Sequence, residues 1–264
     1  MPVTVPALLR QGPFRNFWLG QTISVFGDQI TYLALPIIGA LLLHADAGQM
    51  GLLTAAALLP HLFFSLPAGV WLDRVHRRRR LMIAIDLIRA ALIATVPIAF
   101  MQGWESMTYL YLLAFAMGTL SVAFDISWST LFVAVAKRDE YVQANSLLNG
   151  SRSLAGVAGP SIGGGLIQVL GAPIAMLTDA LSFVASALFL TRVKAVEPPV
   201  EHQPGSLRAQ LVSGLSFIMR DRIMRPTVLS AATLNLFNFG FQALFILYVT
   251  TYLHVDAGLL GLAL

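Results

Sequence analysis

The fold is decided by a stretch that occurs twice, at positions 44–52 and 254–262. The first copy reads His44-Ala45-Asp46-Ala47-Gly48-Gln49-Met50-Gly51-Leu52, and the second reads His254-Val255-Asp256-Ala257-Gly258-Leu259-Leu260-Gly261-Leu262. Six of the nine positions are identical, and 210 residues separate the copies. One copy follows the first long apolar run, and the other follows the seventh. Unless the two short loops are alike by chance, six helices and a linker between equivalent points predict a parallel repeat of two six-helix halves.

The composition is that of a protein surrounded by lipid. Apolar residues make up 57% of the 264 residues and charged residues 11%, and the mean hydropathy is +0.75, which excludes an ordinary water-soluble domain. The chain has no cysteine, and its five histidines show no metal-ligand spacing, so we expect no metal and no cofactor. The net charge of +4 does not indicate nucleic-acid binding, because the Lys and Arg residues lie in loops between apolar runs.

Seven apolar runs are long enough to cross a membrane, which takes a helix of about 20 residues. The first run is too long for the apolar part of a cleaved signal peptide, and it contains Asp28. We therefore predict an all-α membrane protein. The runs lie at 17–43, 49–72, 81–102, 108–136, 144–170, 173–191 and 227–252.

The cations predict the orientation, because loops rich in Lys and Arg stay in the cytoplasm. Fifteen of the 17 Lys and Arg residues lie before the first run or after the second, fourth and sixth runs. The other two, Arg89 and Arg152, lie inside apolar runs. We therefore expect a cytoplasmic amino terminus.

A polar, proline-containing segment from Glu197 to Gly205 predicts the linker between the halves. Leu207, Leu211, Leu215 and Ile218 follow it at helical spacing. They predict an amphipathic helix on the cytoplasmic membrane surface, or a soluble helix packed on the bundle. The expected division is a six-helix half at 1–191, a linker at 192–225 and the start of the second half at 226–264.

Two motifs resemble those of the major facilitator superfamily. The loop from Gly69 to Arg78 is similar to the family pattern G-x-L-A-D-R-x-G-R-K, although His76 replaces the second glycine. The fifth run contains Ala155-Gly156-Val157-Ala158-Gly159-Pro160-Ser161-Ile162-Gly163-Gly164, which resembles the antiporter pattern g-x-x-x-G-P-x-x-G-G of the drug-efflux branch. The resemblance implies a major facilitator fold whose amino-terminal half is followed by a linker, a seventh helix and the start of an eighth.

Shorter segments look like the branch that contains macrolide-efflux proteins and the enterobactin exporter. They are Leu33-Ala34-Leu35-Pro36 with Asp28, Ala144-Asn145-Ser146-Leu147, and Asp179-Ala180-Leu181-Ser182-Phe183. The resemblance implies a secondary transporter, not an enzyme, in the bacterial inner membrane. It implies proton-driven export of a small amphipathic molecule such as a drug, macrolide or siderophore, with protons and the lipid bilayer as the other partners.

Within the family, the loop motif is a conformational latch. Asp73 ends a helix, where the helix dipole disfavours an anion unless cations such as Arg74 compensate it. The alternative is that the cations only enforce topology. The latch residues implied by the resemblance are Gly69, Asp73, Arg74, Arg77 and Arg78.

The antiporter motif has a simple physical consequence. Gly159, Gly163 and Gly164 remove side chains from one helix face, and Pro160 removes a backbone donor. This pattern predicts close helix approach and a bend.

Ionisable residues inside apolar runs are candidates for the substrate and proton pathway, because each is costly in lipid without a partner or a wet cavity. Asp28 and Asp125 lie mid-run, and we expect them in proton coupling or substrate contact. Asp86 and Arg89, three residues apart, either neutralise each other or take part in function. For Arg152 two roles are open, which are pairing with Asp125 and binding an anionic substrate.

Asp179 is placed near the outer end of its run, where we expect its side chain to reach water.

Only six residues follow Gly258, about 9 Å of helix. We therefore expect that this chain alone has no closed transport path and is a truncated product, or that two copies associate. A non-transporting membrane protein and a membrane-embedded enzyme are the alternatives, but no catalytic spacing supports an enzyme.

Overall fold

The computed structural model describes residues 7–72, 77–194, 207–253, 255 and 258–259. Among these residues every element of regular secondary structure is a helix. Seven helices are long and apolar enough to cross a membrane, which confirms the predicted all-α membrane fold. The helices are α1 (Gly12–Ile37, continued by a π-helical segment Ile38–Leu42), α2 (Ala47–Leu72), α3 (Arg78–Gln102), α4 (Met107–Val135), α5 (Tyr141–Leu170), α6 (Ala172–Thr191), α7 (Leu207–Arg220) and α8 (Met224–Thr251).

The predicted apolar runs match α1 to α6 and α8 to within a few residues. The differences lie mostly at the starts, because a helix continues past the apolar layer into polar residues. Thus α1 begins at Gly12, five residues before the predicted run. The linker residues 195–206 lie outside the described part of the chain.

The repeated segment begins a helix in its first copy. Asp46 Oδ1 accepts a hydrogen bond from the Gln49 amide at 2.8 Å, and Gln49 Oε1 accepts one from the Asp46 amide at 3.0 Å. This reciprocal pair satisfies two amides at the start of α2. The equivalent Asp256 lies outside the described residues.

The helices before the two copies end in the same way. The Leu43 amide donates to the Ile38 carbonyl at 3.0 Å, and the equivalent Leu253 amide donates to Tyr248 at 3.3 Å. The next pair is also equivalent, because Ala45 donates to Gly39 at 2.9 Å and Val255 donates to Val249 at 3.2 Å. These bonds, each spanning five or six residues, give structural support to the repeat.

Two hydrophobic clusters hold the first six helices together. One joins α1, α3, α4 and α6 through residues such as Leu33, Ile93, Leu110 and Phe183. The other contains Phe14, Phe17, Met82, Leu131 and Leu190 near the opposite ends of these helices. On α3, the two clusters are separated by buried polar side chains, which form the site described below.

Helices α7 and α8 have little burial among the described residues. α8 packs against α1 and α2, and it exposes Leu234, Phe237 and Phe241.

Asp221 lies just before α8 and accepts hydrogen bonds from the Ile223 and Met224 amides at 2.8 and 2.7 Å. These backbone hydrogen bonds hold the pKa of the exposed Asp221 below its usual value.

Helices α2 and α4 approach each other closely at Gly118. A Cβ atom at this position would overlap the Ala57 backbone carbonyl and press on Pro60. The contact therefore requires glycine, because backbone atoms cannot move aside as a flexible side chain can.

We expect Gly118→Ala to destabilise the protein by about 1–3 kcal/mol, because the added methyl overpacks the α2–α4 contact. The measurement is the thermal unfolding midpoint of the detergent-purified protein. Gly165→Ala is the matched control, since a Cβ at Gly165 in α5 has no neighbouring atom within 4 Å. Equal midpoints for the two variants would contradict the close approach.

Candidate functional site

A cavity of about 290 Å³ opens between α1, α2 and α4, and α8 contributes Phe239 and Ile246 to its wall. Most of the wall is apolar, as in ligand cavities generally. The polar side chains that line it are Asp28, Thr31, Tyr32, Thr54, His61 and Ser121.

The two carboxylates predicted from the sequence to lie mid-membrane come together. Asp28 on α1 lines the cavity, and its charge interacts with that of Asp125 on α4. Asp125 lies one helical turn from Ser121, another lining residue. Both carboxylates are exposed on the surface of this chain. α1 and α4 therefore present a pair of acids at the same open face.

Arg89 on α3 is the cation at the centre of the site. Its guanidinium donates to Ser121 Oγ at 2.7 Å and lies over the Phe124 ring at 4.9 Å and the Phe183 ring at 5.3 Å. Its charge acts on four carboxylates, those of Asp28, Asp86, Asp125 and Asp179. The aromatic rings hold the guanidinium in place, and its positive charge interacts with several carboxylates.

Asp86 and Arg89 do form an ion pair, but a loose one. Arg89 Nη1 lies 4.0 Å from Asp86 Oδ1. The Asp86 side chain is fully buried, and neither oxygen has a hydrogen-bond partner among the described residues. The buried Ser186 hydroxyl beside it likewise lacks the geometry of a hydrogen bond. A buried carboxylate with so little compensation is costly, which favours a functional role for the pair over simple neutralisation.

The expectation that Asp179 reaches water is wrong. The side chain is fully buried, and it accepts hydrogen bonds from Thr31 Oγ1 at 2.5 Å and Ser182 Oγ at 2.9 Å. A Cβ on Gly27 would overlap the Asp179 and Ser182 side chains. Glycine therefore lets α1 cover Asp179 and shut it off from solvent.

The spacing of residues in the sequence predicts part of the surroundings of Asp179. Asp179 and Ser182 are three residues apart on α6, and Gly27 and Thr31 are four apart on α1, so each pair shares a helix face. The sequence does not reveal that the two faces meet. His61 on α2 was also missed, although it is an ionisable residue inside an apolar run; it lines the cavity.

The glycines of the antiporter motif pack against α1 beside the acids. A Cβ on Gly159 would overlap the Gln29 side chain, and one on Gly163 would touch the Ile30 Cα at 3.4 Å. Gly164 is buried, and Pro160 lies inside α5. The motif therefore sets the α1–α5 distance next to Asp28.

Arg152 on α5 does not form the proposed ion pair with Asp125 in the part of the chain that the structure describes. Its guanidinium lies over the Trp128 ring at 5.0 Å, and its charge acts on Asp125 only from farther away. Arg152 thus stays available to another acceptor.

The latch loop is only partly described. Gly69 lies in α2, Arg77 is exposed, and Arg78 is buried at the start of α3. Asp73 and Arg74 fall outside the described residues. The next cation along the chain, Arg79, donates to the Val193 carbonyl at 2.6 Å and the Thr191 carbonyl at 3.3 Å. It therefore binds the carboxyl end of α6, where a cation is favourable.

The acid cluster is not arranged as a metal site. Within the described ranges, no three His, Asp or Glu side chains converge as metal ligands. Carboxylates inside a membrane bundle commonly bind protons or contact a polar or cationic group of a ligand.

The chain is similar to known proteins over most of its length. The family model described as Major Facilitator Superfamily matches residues 17–264. The multidrug efflux pump Tap of Mycobacterium bovis is 28% identical over 225 residues, covering 81% of this chain and 53% of the pump. An uncharacterized MFS-type transporter, y4rN of Sinorhizobium fredii, is 30% identical over 216 residues, covering 80% of this chain and 52% of that protein. The chain thus spans about half the length of these curated relatives.

A solved structure shares the fold. It is the crystal structure of a bacterial homologue of the human lysosomal transporter Spinster, in an inward-facing and unoccupied conformation. The TM-score is 0.68 at 15% sequence identity, and the match covers 98% of this chain and 59% of the other.

A double-mutant cycle on Asp86 and Arg89 tests whether Arg89 serves one acid or several. We expect Arg89→Met to cost about 3–5 kcal/mol, because it leaves buried carboxylates without their cation. Adding Asp86→Leu restores full stability only if the two residues form an isolated pair. We expect partial recovery, because Asp28, Asp125 and Asp179 also lose the Arg89 charge.

The measurement is the unfolding free energy or thermal midpoint of each purified variant. Arg192→Met is the control, since Arg192 also lies over an aromatic ring, that of Phe189 at 5.9 Å, but away from the acids. Complete recovery in the double variant would contradict the shared role.

Proposed function

This chain belongs to the major facilitator superfamily, and on that basis we propose that it forms the amino-terminal half of a proton-driven exporter of small amphipathic molecules. The observation that carries the proposal is the group of four carboxylates around Arg89 at the edge of an apolar cavity. The family is one of transporters, so the chain is not assigned an enzymatic activity.

The charge balance of the site supports proton coupling. Four ionised carboxylates beside one guanidinium would leave an excess of negative charge in a region shielded by lipid. Such an excess costs several kcal/mol for each uncompensated charge. Protonation of some of the carboxyl groups would relieve this excess, and Asp28, which lines the cavity, and the exposed Asp125 are the acids placed to exchange protons.

The cavity supports an amphipathic substrate. Leu35, Leu53 and Met117 give it apolar walls, while Asp28 and His61 are among its polar lining residues. A molecule with an apolar body and a polar or cationic group satisfies both parts of such a wall. The name of the mycobacterial relative, a multidrug efflux pump, is consistent with a substrate of this class.

The α1–α5 contact supplies the connection to movement. Gly159 and Gly163 hold α5 against the α1 segment that bears Asp28. A change in charge at Asp28 therefore acts on a backbone that packs tightly against α5. In the proposed cycle the latch residues Gly69, Asp73, Arg74, Arg77 and Arg78 hold one of the two conformations.

The proposed location is the bacterial inner membrane with the amino terminus in the cytoplasm. The distribution of Lys and Arg supports this orientation, because 15 of the 17 cations fall on one side of the predicted runs. The bacterial sources of the relatives agree with that membrane.

Transport by the complete protein in liposomes tests the proposal, with an imposed pH gradient and a fluorescent amphipathic cation. We expect Asp28→Asn and Asp125→Asn each to lower the gradient-driven initial rate by roughly tenfold or more, about 1.4 kcal/mol or more in the barrier. Asp28→Glu should keep part of the activity, because it retains a carboxyl group.

Asp139→Asn is the control, since Asp139 is exposed in the turn before α5. This variant should transport at the same rate as the unmodified protein. Transport that persists after the proton gradient is collapsed would overturn proton coupling. Normal transport by both Asn variants would remove Asp28 and Asp125 from the pathway.

A further inference from the structure

The buried carboxyl group of Asp179 has a hydroxyl group on its cavity side. Asp179 lies on α6 and is fully buried, and it accepts a hydrogen bond from Thr31 Oγ1 of α1 at 2.5 Å. Thr31 is half-buried, and it lines the cavity between α1, α2 and α4. The Thr31 side chain therefore lies between the cavity and a carboxyl group that solvent does not reach.

The other contacts of Asp179 do not open it to the surface. Ser182 Oγ of the same helix donates to it at 2.9 Å, but Ser182 is itself only 7% exposed. Gly27 of α1 covers this pair, because a Cβ atom on Gly27 would overlap both side chains. Among the residues that the structure describes, Thr31 is thus the hydrogen-bond partner of Asp179 that reaches the cavity.

Asp179 has no ion-pair partner within the described ranges. The charged groups that act on it are Asp28 of α1 and Arg89 of α3, and the ion-pair contact of Arg89 is with Asp86 of α3, at 4.0 Å. α5 also packs on α6, and its one charged residue, Arg152, lies over an aromatic ring of α4. Two hydroxyl groups compensate a buried negative charge only in part, so a bound proton would lower the cost of burying Asp179.

A hydroxyl group can carry a proton between the cavity and Asp179, because it both donates and accepts hydrogen bonds. In this step the Thr31 O–H bond breaks as an O–H bond forms on Asp179 Oδ2. Thr31 Oγ1 takes a proton from a hydrated proton in the cavity, which becomes water. The hydroxyl group is thereby restored, and the reverse steps return the proton to the cavity.

We propose that Asp179 is a proton-binding site of this protein, loaded and unloaded from the cavity through the hydroxyl group of Thr31. The inference rests on the proposed proton coupling and adds to Asp28 and Asp125 a third acid, one that is sealed from water. A protonated Asp179 is a weaker acceptor for the Thr31 hydroxyl group. Because Thr31 belongs to α1, proton binding at Asp179 changes the α1–α6 contact.

Infrared difference spectroscopy of the purified complete protein, without a gradient or an exported molecule, tests the site. A protonated carboxyl group has a carbonyl stretching band that disappears on ionisation and shifts when the proton is exchanged for deuterium. We expect one such band, titrating with pH, that is missing in Asp179→Asn. In Thr31→Val this band should exchange in heavy water roughly tenfold more slowly or less, because the valine methyl group cannot carry a proton.

Thr31→Ser should keep the fast exchange, since it retains the hydroxyl group. Thr178→Val is the matched control, because Thr178 precedes Asp179 on α6 while its hydroxyl group donates to the Ala175 carbonyl at 2.6 Å. This variant should exchange like the unmodified protein. Equal exchange rates in Thr31→Val and Thr178→Val would overturn the path through Thr31.

Should Asp179→Asn fail to fold, Thr31→Val decides, because a slowly exchanging carboxyl band must appear in that variant and not in Thr31→Ser. The absence of any titrating band that depends on Asp179 or Thr31 would overturn the proposal and leave Asp179 as a hydrogen-bond acceptor that holds α1 against α6. The transport test has a separate outcome, since normal transport by Asp28→Asn and Asp125→Asn would remove those two residues from the pathway without changing the Asp179 band.

Discussion

The structure depends on how one guanidinium is shared among four carboxylates, two of them buried and two exposed, in a lipid-facing bundle. Arg89 donates to Ser121, lies between two aromatic rings and acts on four carboxylates that come from α1, α3, α4 and α6. Because lipid offers no water to an unpaired charge, each of these helices is constrained to keep its acid near the cation.

The sequence predicts most of the fold because its signals are local. The lengths of the apolar runs predict the membrane-spanning helices. The identical positions in the two copies of the repeat lie where one helix ends and the next begins, and local hydrogen bonds form there. Asp46 shows this directly, because its carboxylate binds the Gln49 amide at the start of α2. The backbone bonds that end α1 and α8 are equivalent as well, so the repeat is a repeat of helix-end chemistry.

The site was less predictable, because it depends on which helix faces meet. Asp28, Asp125 and Arg89 were identifiable as ionisable residues in apolar runs. The burial of Asp179 was not, since it requires Gly27 and Thr31 of α1 to lie against α6. Likewise, Arg152 shares an apolar run with small residues, but its partner is the ring of Trp128 on α4. Sequence periodicity gives the faces of each helix and not the pairing between helices.

α1 is the helix that connects the acid cluster to the packing of α5 and α6. Within four residues it presents Gly27 to α6, Asp28 to the cavity, and Gln29 and Ile30 to the glycines of α5. Successive positions on a helix point about 100° apart, so one short segment contacts three environments and cannot yield to one without disturbing the others. In the proposed function, a proton or a ligand that binds at Asp28 would therefore change the energy of both the α1–α6 and the α1–α5 contacts. Interfaces packed this closely change between discrete arrangements and do not deform gradually, which is the property that a two-state carrier requires of its central helix.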